Sequence, residues 1–173
     1  MPHSAAGAAT RPENGEGQRD LVDAVARSWL GTAYHNHGEV KGAGCDCATL
    51  LKCVYVEAGI IAPFDIGYYS PQHFLHQDEQ KYLGWVSKFA REVPRDAVRH
   101  GDIALYWVGR CYAHAAIVVK PGWPHIIHAH FASRGVREGI GTAVHLGMPV
   151  KDVKFFSMWA GRFAATLPKN GEG

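Results

Sequence analysis

Apolar positions follow two regimes along the chain, helical spacing in the first half and alternation in the second. Leu21, Val22, Val25 and Trp29 recur at helical intervals and Gly31 is placed to stop the turn, which predicts a helix over residues 19–30. Cys47, Leu50, Leu51, Val54, Tyr55 and Ala58 then mark one continuous buried face. Asp46 stands where an N-cap belongs and Gly59 where a C-cap glycine belongs, framing a helix over 47–58. Residues 71–91 are helix-like but less regular, and Gly84 is expected to divide them into two shorter pieces. After Pro94 the period changes to two, predicting strands at 102–108, 113–120, 125–130 and 154–162 between Gly and Pro turns. Helices first and an antiparallel sheet second predict an α+β fold.

Length and composition narrow this picture without naming a function. A chain of 173 residues supports one domain, expected over 18–166 between loose ends at 1–17 and 167–173. A net charge of +2, with no basic run interleaved with aromatics, sets nucleic-acid binding aside. The longest apolar runs are strand-sized, far below the roughly 20 residues of a membrane-crossing helix, so membrane insertion is not expected. The first 17 residues lack the basic start and apolar run of an export signal, and the expectation is a chain made in the cytoplasm. Its four cysteines, at 45, 47, 53 and 111, are accordingly read as free thiols rather than a disulfide framework.

Cys47 is the first residue of a buried helix, where unpaired backbone N–H groups and the dipole favour a thiolate. It is therefore expected to be the most acidic of the four. Cys45 sits in a glycine loop before the cap, Cys53 lies off the buried stripe, and Cys111 belongs to a strand turn. Without a base, Cys47 reads as a small core residue. His114 supplies a candidate base, on one strand face with Ala116 and Val118, and the next strand puts Ile126, His128 and His130 on one face. A hairpin centred on residue 121 sets His114 directly opposite His128, so that the second imidazole orients the first. Nucleophile, base and orienting group then form a triad.

The segments Trp29-Leu30-Gly31-Thr32-Ala33-Tyr34, Gly44-Cys45-Asp46-Cys47-Ala48, Gly101-Asp102-Ile103, His114-Ala115-Ala116-Ile117-Val118 and Ile127-His128-Ala129 together resemble the NlpC-type family of papain-like cell-wall peptidases, particularly its phage-tail branch. The resemblance spans about residues 19–163 and implies a papain-like core, with the cysteine-bearing helix packed on the histidine-bearing sheet. It implies Cys47 as nucleophile, His114 as general base, His128 as third residue, and Tyr34 beside the nucleophile, polarising the scissile carbonyl together with the Cys47 N–H. No cofactor is implied. The implied substrate is the peptidoglycan stem peptide, at the bond between D-glutamate (through its γ-carboxyl) and a diamino acid. The implied setting is a phage tail or a gene-transfer particle, with tail-tip or baseplate hub proteins as partners. Two positions depart from the family: Thr49 stands where glycine is frequent, and Ala115-Ala116 where Val-Gly is frequent.

Two other readings stay open from the residues alone. Cys45, Cys47, His114 and His128 are four ligands of the kind zinc accepts. A structural tail protein of the same fold would instead use aromatics such as Tyr68, Tyr69 and Phe74 against neighbours, unless these pack into the core. His35 and His37 flank the expected cleft, Asp102 serves the turn before its strand, and Arg134, Arg137 and Glu138 belong to a solvated turn.

Overall fold

A computed structural model describes residues 15–70 and 80–160, so Phe74 and the expected loose ends, apart from residues 15–17, lie outside the described residues. The first helix, α1 (Gly15–Ser28), starts four residues before the expected 19 and is followed by Gly31 at φ +83. A two-stranded ribbon, β1 (Glu39–Val40) with β2 (Gly44–Cys45), leads into α2 (Cys47–Glu57). The N-cap of α2 is Asp46 and its C-cap Ala58, with Gly59 next at φ +67, where an L side chain would be strained. Next comes α3 (Lys81–Phe89), one unbroken helix through Gly84. The expected division fails there because the space beside Gly84 is open and its N–H still bonds the Gln80 carbonyl.

The strands β3 (Arg91–Val93), β4 (Ile103–Val108), β5 (Cys111–Val118), β6 (His125–His130), β7 (Gly135–Ile140) and β8 (Val150–Ser157) form one antiparallel sheet in the order β3-β8-β4-β5-β6-β7. A short helix, α4 (Ala143–Leu146), joins its last two strands in sequence. The strand β7 corrects the expected solvated turn: Arg137 and Glu138 belong to it, and only Arg134, at φ +54, sits in the turn before it. The last strand ends at Ser157, earlier than expected.

Apolar side chains fill both faces of the sheet. On one face Val22, Leu50, Val54 and Tyr55 of α1 and α2 meet Ile103, Leu105, Ile117 and Ile127. On the other, Ala104, Tyr106, Val118 and Ile126 lie under Trp123, Leu146 and Phe155. Each large side chain buried this way contributes about 1.5–3 kcal/mol. A charged pair is sunk into the core: Arg19 of α1 donates to Asp102 Oδ1 (2.7 Å), the His100 carbonyl (2.8 Å) and Ser157 Oγ (3.0 Å) beneath the Trp159 ring. Asp102 also accepts the Arg99 N–H, so it closes its turn as expected and anchors α1 besides.

Candidate active site

The position of Cys47, the candidate nucleophile, is built by its cap. Asp46 is extended (φ −111), and its Oδ1 accepts the N–H groups of Ala48 and Thr49, both at 3.0 Å. Thr49 Oγ1 in turn accepts the Asp46 N–H at 2.9 Å, closing a reciprocal capping box. Leu50 N–H bonds the Asp46 carbonyl. Of the first-turn donors this leaves the Cys47 N–H to meet an incoming carbonyl oxygen.

The other carboxylate oxygen, Asp46 Oδ2, accepts from the His37 N–H (2.8 Å) and the Tyr69 hydroxyl (2.5 Å). Tyr82, from α3, donates its hydroxyl to the Cys47 carbonyl at 2.8 Å. Both tyrosine rings meet Trp85 edge-on, with centroids 5.7 and 5.9 Å away. Sequence reasoning missed these two hydroxyls. Tyr69 was weighed only as packing or docking surface, and Tyr82 lay in a stretch read simply as helix-like. Of the exposed-aromatic candidates, Tyr69 is buried and Tyr68 is 82% exposed, stacked on the His37 ring.

The candidate base, His114, arrives on β5. Pairing of β4 with β5 runs Tyr106 with His114, then Trp107 with Tyr112, so Ala113 is an extra residue in a bulge. A bulge sharpens the local twist and re-aims neighbouring groups. Here it brings the Ala113 carbonyl to 3.9 Å from Cys47 Sγ, and His114 to the same cleft as the thiol. The β5–β6 register is Ile117 with Ile127 and Val118 with Ile126, a hairpin centred on residue 122, because five residues (120–124) form the turn. His114 and His128 are therefore diagonal rather than directly opposite, correcting the expectation by one pair. The imidazoles still meet, His114 Nε2 lying 2.8 Å from His128 Nδ1. His130 stacks on His128 with centroids 5.1 Å apart and rings 9° from parallel.

Burial governs the charges. It pushes the Cys47 thiol up to about 12, with the Asp46 charge adding to the rise; contacts from the backbone and Tyr82 oppose it. This works against the expected resting thiolate; burial likewise pushes Cys45 up to about 12 and Cys53 up to about 11. Cys47 is mostly covered, and the packed protein around the sulfur outweighs the helix terminus. His114 is held well below the usual imidazole range by burial and then by His128 and His130. Burial brings His128 down to about 4, with His130 contributing. Thiol and imidazoles are all neutral at pH 7. If His114 carries its ring hydrogen on Nε2, donated to His128 Nδ1, its Nδ1 is left as an acceptor.

The cleft encloses about 390 Å³ and is walled by Cys47, His114, Tyr34, Asn36, His130 and Phe131 among others. Tyr34 reaches it because its main chain bridges Cys45 and its N–H bonds the Arg134 carbonyl, and its ring meets Phe131 edge-on at 5.4 Å. Cys47, His114, His128 and Tyr34 are thus gathered in one region. The zinc alternative is not: no three of Cys45, Cys47, His114 and His128 offer atoms within 4.8 Å of one another, and the only such trio among the described residues is Glu16, Asp20 and His100. The His114 and His128 nitrogens that face each other are engaged together instead.

No family model matches the chain, and no curated protein matches it. Solved structures do. The NlpC/p60 domain of peptidoglycan hydrolase SagA superposes with a TM-score of 0.53 at 20% identity, over 79% of this chain and 96% of that one. NlpC1 from Trichomonas vaginalis gives 0.52 at 17% identity, over 83% of this chain and 45% of that one. The P60 domain from M. avium paratuberculosis antigen MAP1272c gives 0.50 at 14%, over 80% and 92%. The helix bearing Cys47 and the antiparallel sheet bearing His114 and His128 are arranged in the α+β, papain-like fold of NlpC/p60 domains.

Proposed function

We propose that the chain is a cysteine peptidase of the NlpC type that hydrolyses peptide bonds of the peptidoglycan stem peptide. The observation that carries this reading is the 2.8 Å His114–His128 contact beside a helix-initial cysteine in one cleft. Cys47 Sγ attacks the amide carbonyl while its proton passes to His114 Nδ1. The developing oxyanion is held by the Cys47 N–H, with the Tyr34 hydroxyl as the second donor. His114 then gives the proton to the leaving amine, and water, deprotonated by the same imidazole, hydrolyses the thioester. A formed imidazole pair supports catalysis over a purely structural use of the fold.

The bond proposed is that between the γ-carboxyl of D-glutamate and the diamino acid, and the setting proposed is a phage or gene-transfer tail, with hub proteins as neighbours. Both rest on the resemblance of the sequence segments. Digestion of defined muropeptides, with products weighed by mass spectrometry, tests activity and bond together. Wild type is expected to release the two half-peptides and Cys47→Ala none; equal rates for both would overturn the reading. Mass spectrometry of purified particles tests the setting, which falls if the chain is absent from them.

A further inference from the structure

Cys47 faces a second, smaller recess besides the cleft, lined by Tyr69, Lys81, Tyr82, Trp85 and Ala113. The Tyr82 hydroxyl there has one proton to donate and two acceptors on a single residue. At rest it is given to the Cys47 carbonyl at 2.8 Å. That carbonyl belongs to the first turn of α2, where the i+4 N–H of the helix also reaches it, so it keeps a partner if the hydroxyl turns away. The sulfur's other polar contacts are with the backbone: the N–H groups of Ala115 and of Cys47 itself, and, at 3.9 Å, the Ala113 carbonyl, which accepts a thiol proton but cannot stabilise a thiolate; among the described residues Tyr82 is the side-chain donor beside it. Tyr82 is 4% exposed and its ring is held against Trp85, so the hydroxyl cannot leave for solvent.

We propose that Tyr82 is a further catalytic residue, whose hydroxyl turns from the Cys47 carbonyl to Cys47 Sγ as negative charge develops there. The proposal rests on the peptidase reading for its purpose, but its contact is a property of the folded chain. No covalent bond forms or breaks at Tyr82. The thiol proton goes to His114, the sulfur lone pair goes to the substrate carbonyl, and the phenol keeps its proton while redirecting its hydrogen bond. The same hydroxyl already favours the thiolate in the resting thiol's environment. A hydrogen bond to an ionised acceptor is roughly twice as strong as one to a neutral acceptor, which is what drives the turn.

The test is the pH profile of Cys47 alkylation by iodoacetamide in the whole chain, read on the Cys47 peptide by mass spectrometry so that the other three cysteines do not contribute. In Tyr82→Phe the profile should move up by about one pH unit, a tenfold lower rate at a fixed pH below the midpoint. Replacing Tyr82 by 3-fluorotyrosine, a more acidic donor of nearly the same size, should move it down. An unmoved profile in a folded Tyr82→Phe protein overturns the proposal. If that variant does not fold, the fluorotyrosine protein decides, and an unmoved or raised profile overturns it. Should the profiles move as expected while no muropeptide is cleaved, the donor role stands and the peptidase reading falls.

Discussion

Replacing Asp46 should cost far more than a helix cap. The carboxylate is 2% exposed and its two oxygens do separate jobs, Oδ1 capping α2 and Oδ2 holding the His37 N–H and the Tyr69 hydroxyl. Losing an N-cap costs about 1 kcal/mol. Each hydrogen bond to a charged acceptor is worth about 1.5–3 kcal/mol. His37 is exposed and water can replace part of its bond, whereas Tyr69 is buried and its hydroxyl would be stranded. Asp46→Ala is then expected to lose about 3–5 kcal/mol, a large fraction of the roughly 5–15 kcal/mol that holds a domain folded. Asp46→Asn separates the two jobs, since its oxygen can still cap while its NH₂ group faces two donors. It should cost nearly as much as alanine. Urea unfolding of the three proteins, followed by far-UV circular dichroism, measures this directly. A loss below about 1.5 kcal/mol for Asp46→Ala would mean that only the cap matters and refute the account. A second readout carries an opposite sign: the Asp46 charge opposes the thiolate, so folded Asp46→Asn should alkylate faster at Cys47 at a given pH.

Two further perturbations follow from buried charge. His128 is neutral in the fold with its titration brought down to about 4, whereas an unfolded histidine titrates near 6.5. The unfolded chain therefore takes up the proton first, and stability is complete above pH 6.5 and lost as pH falls toward 4. By pH 5 the loss from His128 alone is about 2 kcal/mol. His128→Gln should flatten the unfolding free energy between pH 7.5 and 5, and an unchanged slope would contradict this. Cutting the buried Arg19–Asp102 pair by Asp102→Ala should cost about 3–5 kcal/mol in urea unfolding, because it leaves Arg19 charged and short of a partner. Arg19→Met combined with Asp102→Leu should cost less than the sum of the single changes, and strict additivity would refute the pairing.

Local signals were the legible ones. The frame of α2 could be read because its periodicity, its Asp46 cap and Gly59 all lie within one short stretch and agree. The histidine face could be read for the same reason, since alternation alone decides which residues share a side. Register could not, because it depends on how the turn is built, and the five-residue turn 120–124 put the centre at 122 in place of the expected 121. The strand β7 was hidden because Arg137 and Glu138 point outward from a strand between glycines, and only its neighbour β6 makes it a strand. Tyr69 reaches Asp46 and Tyr82 reaches Cys47 from 23 and 35 residues away along the chain, and no pattern in a sequence of this kind announces such a contact.

The segment that carries Tyr34 into the cleft also guards the sheet. Gly31 donates its N–H to the Val136 carbonyl, Val136 donates to Thr32, and Tyr34 donates to the Arg134 carbonyl. Gly135 permits the approach, since a Cβ there would meet Thr32 O at 2.6 Å. The first residues of β7's outer rim are thereby paired within the molecule, and exposed Arg137 and Glu138 follow them. At the far side β3 offers only three residues, with Arg91 and Glu92 both exposed. Neither margin offers a long, unpaired and uncharged ribbon to another chain, so the aromatic wall of the cleft comes with built-in resistance to strand-by-strand aggregation.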